Sequence, residues 1–446
     1  MAAPLSPARL LALSFGGMIA TGTALLMLPV SAAPGVFVTP LDALFTATSA
    51  VCVTGLIVVD TSTAWSPVGH AVLLLLMQAG GLGYMTFSTL LAAALGRRVG
   101  MHSRATLQEG LNLETREELL RFAGVALRAT LAIELVAALA LALWWAPTFG
   151  AGRAAWLAVF HAVSAFNNAG FSLFPDNLMR FRGDVVVNLV VVTLIILGGL
   201  GFVVLQEIVR VRLRHRWSVQ TKLVLGATGL LTAGGTAAML LLEARNPATL
   251  GSLGWGEALL AAFFQAVSPR TAGFNTIDIG AMTPAALFIV IALMFIGASP
   301  GGTGGGVKTT TFGVTVLAMW ATVRGSREPV LFHRRLPMDL VQKAFFITLT
   351  AFLVVNVVTG LLLLSEGRDL LRTMFETTSA FATVGLSMGH PGSVLSLAGH
   401  FSIAGKVLLI AMMFAGRVGP LTLAVALARR VEPERVRHAE ERIAIG

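Results

Sequence analysis

The sequence predicts an all-α membrane protein: four parallel helix–pore-helix–helix repeats, with eight transmembrane helices and four re-entrant pore helices, around a central pore. Three observations predict it. The 446 residues are 56% hydrophobic and 12% charged, whereas soluble domains carry about 25% charged residues. Four short segments line up on a glycine: "TSAVCVTGL" ending at Leu56, "VSAFNNAGF" at Phe171, "AVSPRTAGF" at Phe274 and "TSAFATVGL" at Leu386. Each follows a run too short to span a bilayer and lies between two long apolar stretches.

The aligned glycines are Gly55, Gly170, Gly273 and Gly385, spaced 115, 103 and 112 residues apart; such self-similarity marks a repeat architecture. The runs before them are "LDALFTATSA", "AAWLAVFHAVSAF", "GEALLAAFFQAV" and "LLRTMFETTSAF". An apolar helix of about 10–14 residues reads as re-entrant rather than spanning. First helices are expected near 9–30, 122–146, 222–243 and 342–364, and second helices near 66–96, 184–209, 284–323 and 402–428. Each unit crosses twice, so consecutive copies point the same way, unlike inverted transporter repeats. The units run 1–100, 101–216, 217–330 and 331–431, with an intramembrane loop at about 297–311 in the third and a tail at 432–446. The N-terminal segment is like a signal peptide, but its apolar run from Leu10 to Val30 exceeds a signal's core of about 7–15 residues and is expected to be retained as the first span.

The net charge of +10 would suggest nucleic acid in a soluble protein. Here no nucleic-acid partner is expected, because cytoplasmic loops of membrane proteins collect basic residues. Arg97, Arg98, Arg104, Arg116 and Arg121 fall after the first repeat, Arg210, Arg212, Arg214, Arg216 and Lys222 after the second. Arg324, Arg327, Arg334 and Arg335 follow the third, and Arg429, Arg430, Arg435 and Arg437 lie in the tail, whereas 31–70 holds no Lys or Arg. Both termini are therefore expected in the cytoplasm, with the glycine turns facing outward. The single cysteine, Cys52, excludes an intramolecular disulfide and a cysteine metal cluster.

A dehydrated cation needs oxygen ligands, which rings of backbone carbonyls can supply. Aiming successive carbonyls at one axis takes residues to positive φ, where glycine fits without steric cost. Four helix C-termini aimed at the centre add partial negative charge. The candidate ion-binding residues are Cys52, Val53, Thr54 and Gly55; Asn167, Asn168, Ala169 and Gly170; Arg270, Thr271, Ala272 and Gly273; and Ala382, Thr383, Val384 and Gly385. None is a carboxylate. Arg270 is the odd member, expected to turn aside into a salt bridge.

The stretch "GASPGGTGGGVKTTT" at 297–311 invites a phosphate-loop reading, G-x-x-x-x-G-K-[ST]. Val307 separates Gly306 from Lys308, however, and the preceding "AALFIVIALMFI" is of membrane character, so no nucleotide is expected on this chain. The other second helices also break at glycines, in "QAGGLGYMT", "LGGLGFVV" and "AGRVGPLTL". Irregular backbone at membrane depth survives only buried in protein or lining a cavity, so this glycine-rich and mobile stretch is read as a gate. Its candidate residues are Gly297, Ser299, Gly301, Gly302, Thr303, Gly304, Gly305, Gly306 and Lys308, with Arg417 of the fourth repeat. An arginine in an apolar helix is expensive unless it faces a cavity or partner; a structural salt bridge is the other reading. Lys308 either contacts the loop's acceptors or reaches the cytoplasmic interface. Glu134 and Asn356 read as inter-helix hydrogen-bonders, and His161 as structural.

The four "SA-[VF]-x-x-x-G-[LF]" turns, especially "VCVTGL" followed by "VVDT", resemble the TrkH/Trk/Ktr superfamily of potassium transporters over almost the whole chain. TrkH-type members carry extra helices before the first repeat, so the chain is more similar to Ktr-type membrane subunits. The third copy departs from the pattern at Pro269 and Arg270. The resemblance implies K+ as the transported ion, Na+ as an activator, and a third-repeat loop that obstructs the pore with an arginine against it at Arg417. It also implies a bacterial plasma membrane with its lipid, a homodimer, and a cytosolic ring of KtrA-type subunits that binds ATP or ADP. A carrier-type cation transporter with a broken-helix midplane site is the alternative, disfavoured by two-span parallel repeats. No enzyme is expected: Ser299 and Lys308 as nucleophile and base have no oriented triad, paired acids or metal-spaced histidines around them.

Overall fold

The computed structural model describes residues 7–83, 116–214, 217–326 and 328–419. The far part of the expected second helix 66–96, the basic loop before 116, and the tail from 420 lie outside them, with Arg97, Arg98, Arg104, Arg216, Arg327, Arg429, Arg430, Arg435 and Arg437. In the first repeat α1 (Pro7–Leu26) precedes the short α2 (Pro40–Val51) and α3 (Pro67–Gly81). The second has α4 (Arg116–Phe149), α5 (Ala151–Phe166), α6 (Val185–Leu200) and α7 (Phe202–Arg214). The third has α8 (Val219–Glu243), α9 (Trp255–Val267), α10 (Pro284–Phe295) and α11 (Thr309–Val323), followed by a two-residue hairpin, β1 (Val330–Leu331) and β2 (Arg334–Arg335). The fourth has α12 (Met338–Glu366), α13 (Leu370–Ala382) and α14 (Ile403–Val418).

Among the described residues four helices are long and apolar enough to cross a membrane: Arg9–Leu26, Ala123–Phe149, Val219–Glu243 and Met338–Glu366. The protein is thus a multi-pass membrane protein, and these four are the expected first helices. Two of the expected second helices are broken, as their glycines suggested. The stretch 184–209 is α6 and α7, bent by 103° at Gly201, whose φ is +90°. A side chain there would run into the carbonyl oxygen of Pro300. The stretch 284–323 is interrupted from Ile296 to Lys308 between α10 and α11. Glycine with a left-handed φ ends α6 at Gly201 and α14 at Gly419, whereas α10 ends at Ile296, whose φ is −87°.

Local chemistry sets where helices begin. Side-chain oxygens of Ser66, Asp184, Thr283 and Ser402 accept first-turn N–H groups of α3, α6, α10 and α14, satisfying donors that no helix supplies partners for. α2 starts on Thr39, with Pro40 in its first turn and Asp42 against its positive end. The apolar cores knit neighbours together. One joins α1, α2 and α3 to α12, α13 and α14, with Phe160, Ala169 and Phe171 from the second repeat. A second joins α4, α5 and α6 to Phe264 and Phe274, and a third joins α8, α9 and α10 to Phe375, Val384 and Leu386. First and last repeats have no covalent link, and Lys406 Nζ to Asp42 Oδ1 at 2.9 Å bridges them, with side chains 14% and 15% exposed. Lys406→Met strands Asp42, an expected loss of about 2 kcal/mol seen as a lower melting temperature in detergent. The double change Asp42→Asn with Lys406→Met recovers most of it.

Candidate functional site

The four short helices end alike. At the end of α2 the N–H of Val53 donates to the Ala50 carbonyl (3.1 Å) and that of Thr54 to the Ser49 carbonyl (2.7 Å). This is the bond pair of a Schellman cap, with Val53 in the left-handed place usually held by glycine. α5 repeats it through Asn168 to Ala165 (3.1 Å) and Ala169 to Ser164 (2.7 Å), and α13 through Thr383 to Ala380 (3.2 Å) and Val384 to Ser379 (2.9 Å). The left-handed residues have φ of 57°, 58° and 51°. α9 is one residue tighter: Ala272 N–H donates to Ser268 O at 2.9 Å, and Thr271 is left-handed at 81°. Two residues on, Gly55, Gly170, Gly273 and Gly385 are left-handed again, at 90°, 69°, 75° and 92°. Side-chain-bearing residues pay about 1–3 kcal/mol for this region and keep it only where their surroundings impose it.

The turns close on one another. A Cβ on Gly55 would lie 2.5 Å from Ala169 O, and one on Gly170 would lie 3.0 Å from Ala272 O. A Cβ on Gly273 would overlap Val384 O, and one on Gly385 would overlap Thr54 O. Repeat 1 thus meets repeat 2, 2 meets 3, 3 meets 4 and 4 meets 1, with one backbone carbonyl at each junction. Four buried serines hold the ring from behind. Gly55 N–H and Gly385 N–H donate to Ser49 Oγ and Ser379 Oγ, both at 3.0 Å. Ser164 Oγ donates to Phe171 O at 2.8 Å, and Ser268 Oγ donates to Phe274 O. These serines stand in the repeated turn motif, five or six residues before the glycine, but are not among the candidate site residues.

On one side of the ring lies a vestibule of about 400 Å³. Five or six residues beyond each glycine, Asp60, Asp176, Asp278 and His390 line it, so three carboxylates and one imidazole surround the mouth. Each acid is tied down: Asp60 accepts Ser62 N–H (3.0 Å), Asp278 accepts Gly280 N–H (2.9 Å), and Asp176 pairs with Arg180 (2.7 Å). These residues too are absent from the sequence-based candidates. His390 lies 4.8 Å, centroid to centroid, from His400, whose pKa burial lowers, with His390, Arg368 and Lys406 adding repulsion.

On the opposite side the loop from Gly297 to Lys308 presses against the turns. Asn168 Nδ2 donates to Thr303 Oγ1 at 2.9 Å, and Gly305 N–H donates to Thr383 Oγ1 at 3.1 Å. A Cβ on Gly304 would overlap Thr271 Oγ1, and one on Gly306 would lie 3.3 Å from the Ala382 methyl. The loop is also strapped to α6: Ser299 N–H donates to Gly199 O and Thr303 N–H to Gly198 O, both at 3.0 Å. Gly297 N–H donates to Val307 O at 2.9 Å, and Ser299 and Thr309 hydroxyls pair at 2.9 Å. Gly302 packs against Gly199 O, and Phe202 N–H donates to Gly301 O at 3.3 Å. The glycines read as a source of mobility therefore have a second reason, close backbone approach.

Arg417, half-buried, donates to the loop at Thr303 O and to Gly80 O in α3. Lys308 Nζ donates to Gly304 O at 2.6 Å, the acceptor contact of its two expected places. Glycines of the second helices sit under the short-helix ends: a side chain at Gly80, Gly198 or Gly416 would overlap Val51 O, Phe166 O or Phe381 O. These three stand 25, 28 and 31 residues beyond Gly55, Gly170 and Gly385.

Not every candidate joins the ring. Arg270 does turn aside, but its partner is the Thr228 hydroxyl at 3.2 Å, and no salt bridge to it exists among the described residues. Its neighbours Val267, Leu200 and Ala298 leave no acid beside it. Asn167 also points away, donating to Glu134 Oε1 (3.0 Å) and Gln78 Oε1 (2.9 Å). Glu134 thus bonds between helices as expected, whereas the exposed Asn356 donates to Phe352 O of its own helix at 2.8 Å. His161 is structural, its Nδ1 meeting Leu157 O at 2.7 Å. Cys52 is fully buried.

Comparison with known proteins identifies the family. The TrkH family, described as cation transport proteins, matches residues 13–438. The chain is 41% identical over 441 residues to the Ktr system potassium uptake protein B of Bacillus subtilis, covering 99% of this chain and 97% of that one. It is 41% identical to the protein of the same name from Vibrio alginolyticus, covering 98% and 94%. It is 37% identical to the potassium/sodium uptake protein NtpJ of Enterococcus hirae, covering 99% and 98%. The crystal structure of the potassium transporter TrkH from Vibrio parahaemolyticus superposes with a TM-score of 0.73 at 20% identity, covering 94% of this chain and 83% of that one, a likeness of fold. With near-complete coverage and the four closing turns, the chain belongs to the TrkH family of cation transport proteins.

Proposed function

We propose that the chain takes up potassium ions across the plasma membrane through a backbone-carbonyl selectivity filter closed by an intramembrane loop. The observation that carries this reading is the ring: four turns, each with two left-handed residues, bring the carbonyls of Ala169, Ala272, Val384 and Thr54 against Gly55, Gly170, Gly273 and Gly385 of the preceding repeat. Such oxygens replace an ion's hydration shell, and four helix C-termini behind them favour a cation. The vestibule acids supply cations from outside, and the loop with Arg417 and Lys308 puts positive charge on the exit side. Potassium as the ion is supported by the relatives named above, and a role for sodium by the one named for both ions. Eight transmembrane passes with cytoplasmic termini, a homodimer, and control by a cytosolic KtrA-type ring binding ATP or ADP complete the proposal, the last supported by the relatives' designation as parts of a Ktr system.

The test is rubidium-86 uptake into proteoliposomes, wild type against a deletion of Ala298–Gly306, with and without competing sodium. Faster flux that stays cation-selective in the deletion fits a gated filter. Unchanged or abolished flux in folded protein would overturn the gate and favour a carrier with a midplane site.

A further inference from the structure

One buried polar side chain stands at the same place in every short helix, three residues before the serine that holds the turn: Thr46, His161, Gln265 and Glu376. In two repeats it reaches around the turn to the residue two beyond the glycine. His161 Nε2 meets Ser172 Oγ at 3.0 Å, and Ser387 Oγ donates to Glu376 Oε2 at 2.6 Å. In the other two the corresponding residues are Ile57 and Asn275, and neither the Thr46 hydroxyl nor the Gln265 amide has a partner among the described residues. Glu376 alone of the four is a carboxylate, and it is fully buried. Hydrogen bonds hold it; no ion pair to it exists among the described residues.

Its second oxygen accepts Ala398 N–H at 2.9 Å, while Ser387 Oγ accepts the N–H of Gly389 (3.0 Å) and of Leu397 (2.9 Å). The carboxylate therefore ties together both ends of the segment 387–398, which lines the vestibule. Within that segment Ser396 clasps the first repeat: Ile57 N–H donates to Ser396 Oγ (3.0 Å), and Ser396 N–H donates to Ile57 O (3.1 Å). This is the one junction of the ring, Gly385 against Thr54, that joins the first and last repeats, which are not consecutive in the chain. Its registration has to come from side chains.

We propose that Glu376 is a positioning residue for ion discrimination: through Ser387 and Ser396 it sets the spacing of the Thr54 and Val384 carbonyls across the open junction of the ring. The inference rests on the filter reading. A Glu376→Gln side chain keeps its volume but presents an NH2 group either to Ala398 N–H or to the over-donated Ser387 hydroxyl, so one hydrogen bond to the buried side chain is lost. The rubidium-over-sodium uptake ratio in proteoliposomes is expected to fall about tenfold, the size of one such bond. Ser387→Ala lowers it similarly, and the double variant falls no further because both act through one contact. Gln265→Leu, at the same place on α9 with no bonds to lose, leaves the ratio unchanged.

A ratio unchanged in folded Ser387→Ala and Glu376→Gln overturns the inference; if Glu376→Gln does not fold, Ser387→Ala alone decides. An equal fall in Gln265→Leu also overturns it, since any disturbance of the short helices would then suffice. Failure of the filter reading is separate and shows as absent rubidium uptake by the wild type.

Discussion

Gly385→Ala abolishes rubidium uptake, at least about a hundredfold down, in protein that still inserts and migrates as the wild type. Two effects add. The residue sits at φ +92°, where an L side chain costs about 1–2 kcal/mol. Its Cβ would also overlap the Thr54 carbonyl oxygen and lie 3.0 Å from the Gly55 Cα. Neither neighbour can yield, because Thr54 is anchored by its N–H to Ser49 O at 2.7 Å and Gly55 by its N–H to Ser49 Oγ at 3.0 Å. The added methyl must therefore push one carbonyl out of the ring. Gly360→Ala in α12 is the comparison: nothing lies within 4 Å of its added methyl, and a helical interior gains up to about 1 kcal/mol from alanine. Wild-type uptake by Gly385→Ala would show that the ring is not the ion path.

Arg417→Ala is expected to raise cation flux. Its guanidinium donates to Thr303 O of the loop and to Gly80 O of α3, pinning the loop to the opposite wall. Two hydrogen bonds from a charged donor contribute together about 3 kcal/mol, which is roughly a hundredfold in the balance between pinned and released loop. Removing a fixed positive charge from the exit lowers the barrier further. Rubidium-86 efflux at fixed protein amount measures it, and a fall in flux with the fold intact would make Arg417 a structural tie. Lys308 is the milder case, since its single bond is to Gly304 of its own loop.

The short helices, their order and the glycine at each turn were legible because length and glycine placement are local properties. Val53, Asn168 and Thr383 were named as neighbours of those glycines, but nothing in residue type says that a valine adopts φ +57°; the Schellman bonds hold it there. The breaks of the second helices were legible as glycines, but their size was not. Val185 to Val209 turns by 103° at Gly201, where an added side chain would run into the carbonyl oxygen of Pro300. Arg270 was legible as an anomaly, while its neutral partner Thr228 lies 42 residues away and no spacing rule finds it.

The sequence by itself determined the membrane class and the positions of the four aligned turn glycines, since these follow from apolar run length and from a residue type that alone tolerates positive φ freely. Only the tertiary structure decided which carbonyl faces which glycine, that the loop packs against Asn168, Thr271 and Thr383, and that Ser396 of the last repeat bonds Ile57 of the first. Those are contacts between residues far apart in the chain, and their geometry depends on all four repeats closing at once.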